Sequence, residues 1–311
     1  MKKIQLQDLI KTKHKEVLFK QKGNAKMILA YHTYGNGVCF GGIRLLPFNA
    51  GEKAVKDVLR LSEAMTYKLA FINSPYGDCK AVVFEPSNGK TINFLHNIGA
   101  LIEEEKGRFI SAIDFDFEPD DAKIIRESTK YILAIKDSKF GQSGTTTAYG
   151  VLEGIKTSLN EMYGSDLIAG HSFAIQGLGS VGVILADKLI KFSGKVYVSD
   201  LDINQDTIPK LKCKIIAGGA NCQLEDEFED DKKLRELRIL IAPDYVINAG
   251  GVMQGIEELI GGSLKNAMAK LPLISKNLKQ IYAKSKQENR GTYAIAKEMA
   301  ILKFNDKIKN K

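Results

Sequence analysis

The chain has 311 residues, 44% of them hydrophobic and 26% charged, with a formal net charge of +8 at pH 7. Such values exclude wholesale disorder, collagen-like sequence and a long coiled coil, and the length suits about two domains. The basic surplus is modest, reads as a lysine-rich solvated surface and does not call for nucleic acid. No apolar run approaches the roughly 18 residues of a membrane span, and the first residues carry lysines without an apolar core. Neither a membrane nor a secretory route is therefore expected. Cys39, Cys79, Cys213 and Cys222 form no CxxC and no ligand-like set with the histidines. No metal site and no disulfide are expected, and a reducing cytoplasm fits.

Met27–His32 and Gly37–Leu46 read as strands, the second carrying the Gly41-Gly42 pair. Lys53–Ala70 reads as a helix, because Val55, Val58, Leu59, Ser62, Met65 and Leu69 return at helical spacing. A turn-rich stretch, Asn73–Cys79, precedes a short strand, Ala81–Phe84. Thr91–Glu105 is predicted helical, Phe109–Ile113 a strand, and Asp120–Tyr131 a helix. A second unit is expected to begin near Gly141. Ser143–Thr147 supplies cap-type residues for a helix with the stripe Ala148, Val151, Leu152, Ile155 and Leu159. Then follow a strand at His171–Gln176, a helix at Val183–Phe192, a strand at Val196–Ser199, and strand-like Lys214–Ala217 and Tyr245–Ile247. From Asn277 to Lys311 the tail reads as helical. Alternating strands and helices predict an α/β chain with a parallel sheet in its second half.

The clearest local motif is Gly177-Leu178-Gly179-Ser180-Val181-Gly182, a G-x-G-x-x-G between a predicted strand and helix. The first glycine allows the tight turn. The second lets a pyrophosphate approach the backbone, the third lets helix pack on strand, and the helix N-terminus faces the phosphates. Asp200, at the end of the next strand, is placed to bond a ribose hydroxyl, which favours NAD over NADP. Only Leu201–Leu211 separates that strand from the next apolar segment, less than a full parallel crossover usually takes. A nucleotide domain cut down to about four core strands is expected.

Met65-Thr66-Tyr67-Lys68 ends a predicted helix and Lys80 opens a strand. Two lysines in one cleft make chemical sense. One ammonium holds a carboxylate, and its charge, with burial, lowers the pKa of the other. Asp114, at a strand end, is placed to shuttle protons. On residue type alone these lysines read more readily as solvated surface.

A set of stretches in order along nearly the whole chain resembles the Glu/Leu/Phe/Val dehydrogenase family, closest to its leucine dehydrogenase branch. They are Gly41–Pro47, Met65–Lys68, Lys80 with its strand, Arg108–Asp114, Thr147–Gly150, Gly177–Gly182, Ile216–Asn221 and Ala242–Gly251. The resemblance implies an N-terminal α/β substrate and oligomerisation domain over residues 1–140. A reduced Rossmann-like NAD-binding domain over 141–285, shortened after Asp202, would follow. A C-terminal helix over 286–311 would pack back on the first domain. It also implies NAD-dependent oxidative deamination of an L-amino acid to a 2-oxo acid and ammonia, in a homo-oligomer of at least two subunits.

By position, Lys68 resembles the lysine that binds the substrate carboxylate, Lys80 the catalytic lysine that activates water, and Asp114 the acid/base for the amino group. Gly41, Gly42 and Met65 would line the pocket. Thr147 and Asn248 would sit at the nicotinamide end. Phe40, Ala112 and Ala294 leave no partner for a distal carboxylate, so an apolar substrate of leucine, valine or phenylalanine type is expected.

The chain departs from the family at Asp78-Cys79, where the family has glycines before the catalytic lysine. Asp78 would raise the pKa of Lys80 if the two paired. Those departures leave open a second reading, a catalytically impaired relative that binds amino acids or assists assembly.

Overall fold

The computed structural model describes residues 14–47, 51–87, 89–114, 116–135, 138–199 and 212–309. The chain divides into two compact units, Met1–Leu69 with Ser74–Gly141, and Ala70–Asn73 with Gln142–Lys311.

The first unit is built on a six-stranded sheet. β1 (Glu16–Lys22) and β2 (Ala25–Tyr31) form an antiparallel hairpin, turned by Gly23, at φ 52°, and Asn24. β3 (Cys39–Leu46) runs parallel to β4 (Gly77–Asp78), β5 (Lys80–Phe84) and β6 (Phe109–Ile113). β5 lies antiparallel to β2. Helix α1 (Gly51–Phe71) follows β3, and helix α2 (Ile92–Glu103) crosses from β5 to β6. α3 (Pro119–Arg126) comes after β6.

Alternation along the strands sorts the core into two layers. Met27, Leu29, Ile43, Leu45, Ala81 and Val83 meet Phe94, Leu95, Ile98 and Ile102 of α2. Ile28, Ala30, Leu46 and Val82 meet Ala54, Val55 and Val58 of α1. Helices on both faces explain why the central strands read as near-continuous apolar runs.

Three details differ from expectation here. β1 alternates too weakly in hydrophobicity to be read in advance, since it is an edge strand. The helix after β6 ends at Arg126 rather than Tyr131, because the chain turns to bring Ile132 beside Ser111 in an isolated parallel bridge. Thr91 lies outside its helix and caps it, accepting from the Phe94 N–H.

The second unit opens with α4 (Gly144–Tyr163), which stops at Gly164 in the left-handed conformation. β7 (Ser172–Gln176), α5 (Gly182–Lys191) and β8 (Lys195–Ser199) form one parallel βαβ unit. β9 (Ile215–Ile216), α6 (Glu227–Glu236) and β10 (Leu240–Ile241) form a second. Helices α7 (Asp244–Ile247), α8 (Gly250–Leu259), α9 (Leu264–Ala269), α10 (Pro272–Glu288) and α11 (Thr292–Lys309) complete it. Asp200 and the short segment after it lie outside the described residues.

Tyr245–Ile247, expected as a strand, is the helical turn α7. The strand is Leu240–Ile241, and Pro243 ends it, since proline lacks the ladder N–H. The lysine-rich tail is two helices, broken where Asn289 turns left-handed at φ 56°. α11 groups with the second unit and is tied there at its first turn. Asp231 Oδ2 accepts from Tyr293 N at 2.9 Å, and Thr292 Oγ1 donates to Ile241 O at 2.8 Å.

Candidate active site

Strand register brings the site of the first unit together. Gly42 on β3 stands beside Ala112 on β6, and its neighbour Ile43 pairs with Ala81 on β5. Lys80, Gly42 and Ala112 therefore form a row across three strands on the face that α1 covers. Adjacent strands are about 4.8 Å apart, so a side chain from β5 must cross β3 to reach β6. Lys80 does so. Its Nζ donates to Asp114 Oδ2 at 2.6 Å, just past the end of β6. Gly42 leaves the room: a Cβ there would stand 2.9 Å from Lys80 Nζ and 3.2 Å from Asp114 Cβ. Gly41 serves a different end. A Cβ on it would come within 1.7 Å of the Cys79 carbonyl, so glycine lets the backbones close up.

Arg44, two residues beyond Gly42 on the same face, donates to Asp114 Oδ2 at 3.3 Å. Burial pushes the Asp114 carboxyl up, but the Lys80 and Arg44 cations outweigh it, and Lys68 adds to them. The net result is a pKa held down at about 2. Asp114 thus stays ionised across the physiological range. Lys68 and Met65 lie buried on α1, and Phe40 is buried with its ring 5.0 Å from that of Tyr76.

Asp78 does not pair with Lys80 in the way the sequence suggested. Its carboxylate is fully buried and accepts from His32 N, Thr33 N, Thr33 Oγ1 and Thr66 Oγ1. Burial pushes its pKa up to about 7 despite those donors. Sequence reasoning missed Arg44 as a site residue. Its signal was position alone, since a strand places residues two apart on one face.

In the second unit the glycine loop has the geometry of a phosphate cradle. Gly177 sits at φ 87°, where L side chains are strained, and a Cβ on Gly182 would lie 2.0 Å from the Gly177 carbonyl. A Cβ on Gly179 would meet nothing within 4 Å, so that position is open to a ligand. Leu178, Ser180 and Val181 complete the loop ahead of α5. Gly144, at the start of α4, packs against the Ser180 backbone, and Gly219 lies against Val181. Asn248 Nδ2 donates to Gly219 O at 3.1 Å and Asn221 Oδ1 at 2.9 Å. Its buried Oδ1 has no hydrogen-bond partner among the described residues. An orphaned acceptor beside the loop suits a carboxamide donor, so these residues fit a dinucleotide. Thr147 Oγ1 is held by Ser143 O at 2.9 Å, next to Gly251. Ala294 is half-buried on α11.

A lysine–aspartate pair on a glycine-cleared sheet, with a separate βαβ glycine loop, defines a two-unit dehydrogenase. Comparison with known proteins agrees. Residues 12–131 match the family model "Glu/Leu/Phe/Val dehydrogenase, dimerisation domain". The chain is 33% identical over 337 residues to the L-tryptophan dehydrogenase of Nostoc punctiforme, covering 96% of this chain and 95% of that one. It is 34% identical over 330 residues to the leucine dehydrogenase of Geobacillus stearothermophilus, covering 92% and 89%. A crystal structure of the Nostoc punctiforme L-tryptophan dehydrogenase superposes with a TM-score of 0.78, covering 98% of this chain and 99% of that one. The chain belongs to the Glu/Leu/Phe/Val dehydrogenase family. It is an NAD-dependent amino-acid dehydrogenase. The reading as an impaired relative finds no support among these results.

Among the described residues, no helix is long and apolar enough to cross a membrane. No group of three or more His, Cys, Asp or Glu among them could hold a metal ion.

Proposed function

We propose that the protein oxidatively deaminates an apolar L-amino acid of leucine, valine or phenylalanine type to its 2-oxo acid and ammonia. The observation that carries this is the Lys80–Asp114 pair at 2.6 Å over Gly42, with Lys68 acting on the same carboxylate. Lys68 holds the substrate carboxylate. Asp114 Oδ2 takes a proton from the amino group, and Lys80 Nζ orients water toward the α-carbon. Arg44 keeps Asp114 ionised. Phe40, Met65 and Ala112 give the side chain an apolar wall, and Gly41 and Gly42 let it come close to the sheet.

Gly177–Gly182, Thr147, Asn248 and Asp200 would hold NAD, which would supply the hydride-accepting chemistry when bound. The alignment to the tryptophan enzyme spans 337 positions, more than this chain's 311 residues, which supports a deletion. We place it after Asp202, within a nucleotide domain of 141–285, ahead of a C-terminal helical part of 286–311. The name of the matching family model supports a homo-oligomer built through the first domain. Localisation in the cytoplasm accords with the absence of paired cysteines.

The test is NADH formation at 340 nm with a panel of L-amino acids, beside calorimetric NADH binding. Turnover should be best with apolar side chains and vanish in Lys80→Ala. A preference for glutamate, or no turnover with any amino acid, would overturn the proposal.

A further inference from the structure

The two lysines sit on different elements, Lys68 on α1 and Lys80 on β5. Their spacing decides whether a substrate held by one is presented to the other. A misplacement of about 1 Å in such a geometry costs on the order of a hundredfold in rate. Apolar contact between α1 and the sheet is non-directional, and a hydrogen-bonded tie adds a direction to it. The structure contains one.

Asp78 lies two residues before Lys80, and Thr66 two residues before Lys68. The Asp78 carboxylate accepts from Thr66 Oγ1 on α1, from His32 N at 3.0 Å, and from Thr33 N and Oγ1 at 2.9 and 2.6 Å just past β2. Thr66 has a single hydroxyl proton. While Asp78 is ionised and takes that proton, the Thr66 oxygen is left to accept from His32 Nδ1 at 2.7 Å. Helix α1 and the residues just past β2 thus close on one fully buried carboxylate of β4, two residues ahead of Lys80 at the start of β5. Burying a carboxylate is costly unless its oxygens are satisfied, and here each accepts.

We propose that Asp78 is a positioning residue, which sets the distance between Lys68 and Lys80 through its bonds to Thr66, His32 and Thr33. The inference rests on the roles given above to the two lysines.

The test compares wild type, Thr66→Ser, Thr66→Val and Asp78→Asn in steady-state kinetics, with the best amino acid and NAD each varied in turn. Thr66→Val keeps the side chain's shape and removes the hydroxyl. It should raise the KM for the amino acid at least fivefold and leave the KM for NAD within twofold. Asp78→Asn, which leaves one acceptor oxygen for four donors, should also lower kcat at least tenfold. Thr66→Ser, which keeps the hydroxyl, should stay within twofold of wild type throughout. A Thr66→Val enzyme with wild-type constants, or one whose two KM values move together, would overturn the proposal. Thr66→Val is decisive even if Asp78→Asn fails to fold. Failure of the dehydrogenase reading looks different: wild type itself would form no NADH.

Discussion

The Nζ of Lys80 lies 2.9 Å from where a Cβ on Gly42 would be. That closeness makes the pair Gly42 and Lys80 sensitive in a specific way. In Gly42→Ala the clashing atom is the end of a flexible side chain, so the fold should tolerate it. Lys80 must then withdraw from Asp114. We expect kcat to fall at least tenfold with the melting temperature shifted by only a few degrees. Gly41→Ala should do the reverse. Its Cβ would meet the Cys79 carbonyl at 1.7 Å, a backbone atom, and soluble yield should collapse.

Asp114 ties pH to stability in the acid range. Its folded pKa, about 2, is below the ordinary 3.8, so the unfolded chain binds its proton more readily. The stabilisation is complete above about pH 4 and is lost as pH falls toward 2. The shift corresponds to about 2 kcal/mol. Denaturant unfolding of wild type and Asp114→Asn between pH 2 and 5 should show a steeper acid loss in wild type. Equal slopes would remove Asp114 from the account.

Asp78 acts with the opposite sign. Its folded pKa, about 7, is above 3.8, so the folded chain holds the proton more tightly. Its contribution is fully present below about pH 4 and declines as pH rises through 7. Replacement by asparagine should flatten the stability profile between pH 4 and 7. A profile unchanged by the replacement would show that Asp78 keeps an ordinary carboxylate pKa.

The glycine loop separates space from conformation. Gly179 faces open space that a bound pyrophosphate would take up, so Gly179→Ala should weaken NADH binding without lowering the melting temperature, and Gly179→Asp should abolish binding through its bulk and its charge near the phosphates. Gly182→Ala should destabilise the second unit by about 1–3 kcal/mol, because its Cβ would fall 2.0 Å from the Gly177 carbonyl. Calorimetry and thermal melts distinguish these outcomes.

Much of this was readable from residues. The helix with Met65 and Lys68, the strands around Gly42 and the glycine turn at Gly177 announce themselves by period and by residue type. What stayed hidden depends on partners far along the chain. Asp78 reads as a neighbour of Lys80 until the fold supplies Thr66 and Thr33 as donors. Arg44 reads as an ordinary strand arginine until β6 places Asp114 beside it. Tyr245–Ile247 has the apolar, β-prone composition of a strand, and only Pro243 marks the break, since tertiary packing of α7 against α4 decides the rest. β1 is short of contrast because an edge strand is wetted on more than one side.

The first turn of α11 has a consequence for biosynthesis. Asp231 has its carboxylate buried against the Tyr293 N–H, and a Cβ on Gly291 would touch that carboxylate at 2.0 Å. Ile241 likewise waits for the Thr292 hydroxyl. A nascent chain that has emerged only as far as α10 therefore holds an uncapped carboxylate and an open strand end. The second unit can reach its native state only once the residues around Thr292 have left the ribosome. The first unit, whose strands all precede Gly141, is under no such delay and can fold while the rest is still being translated.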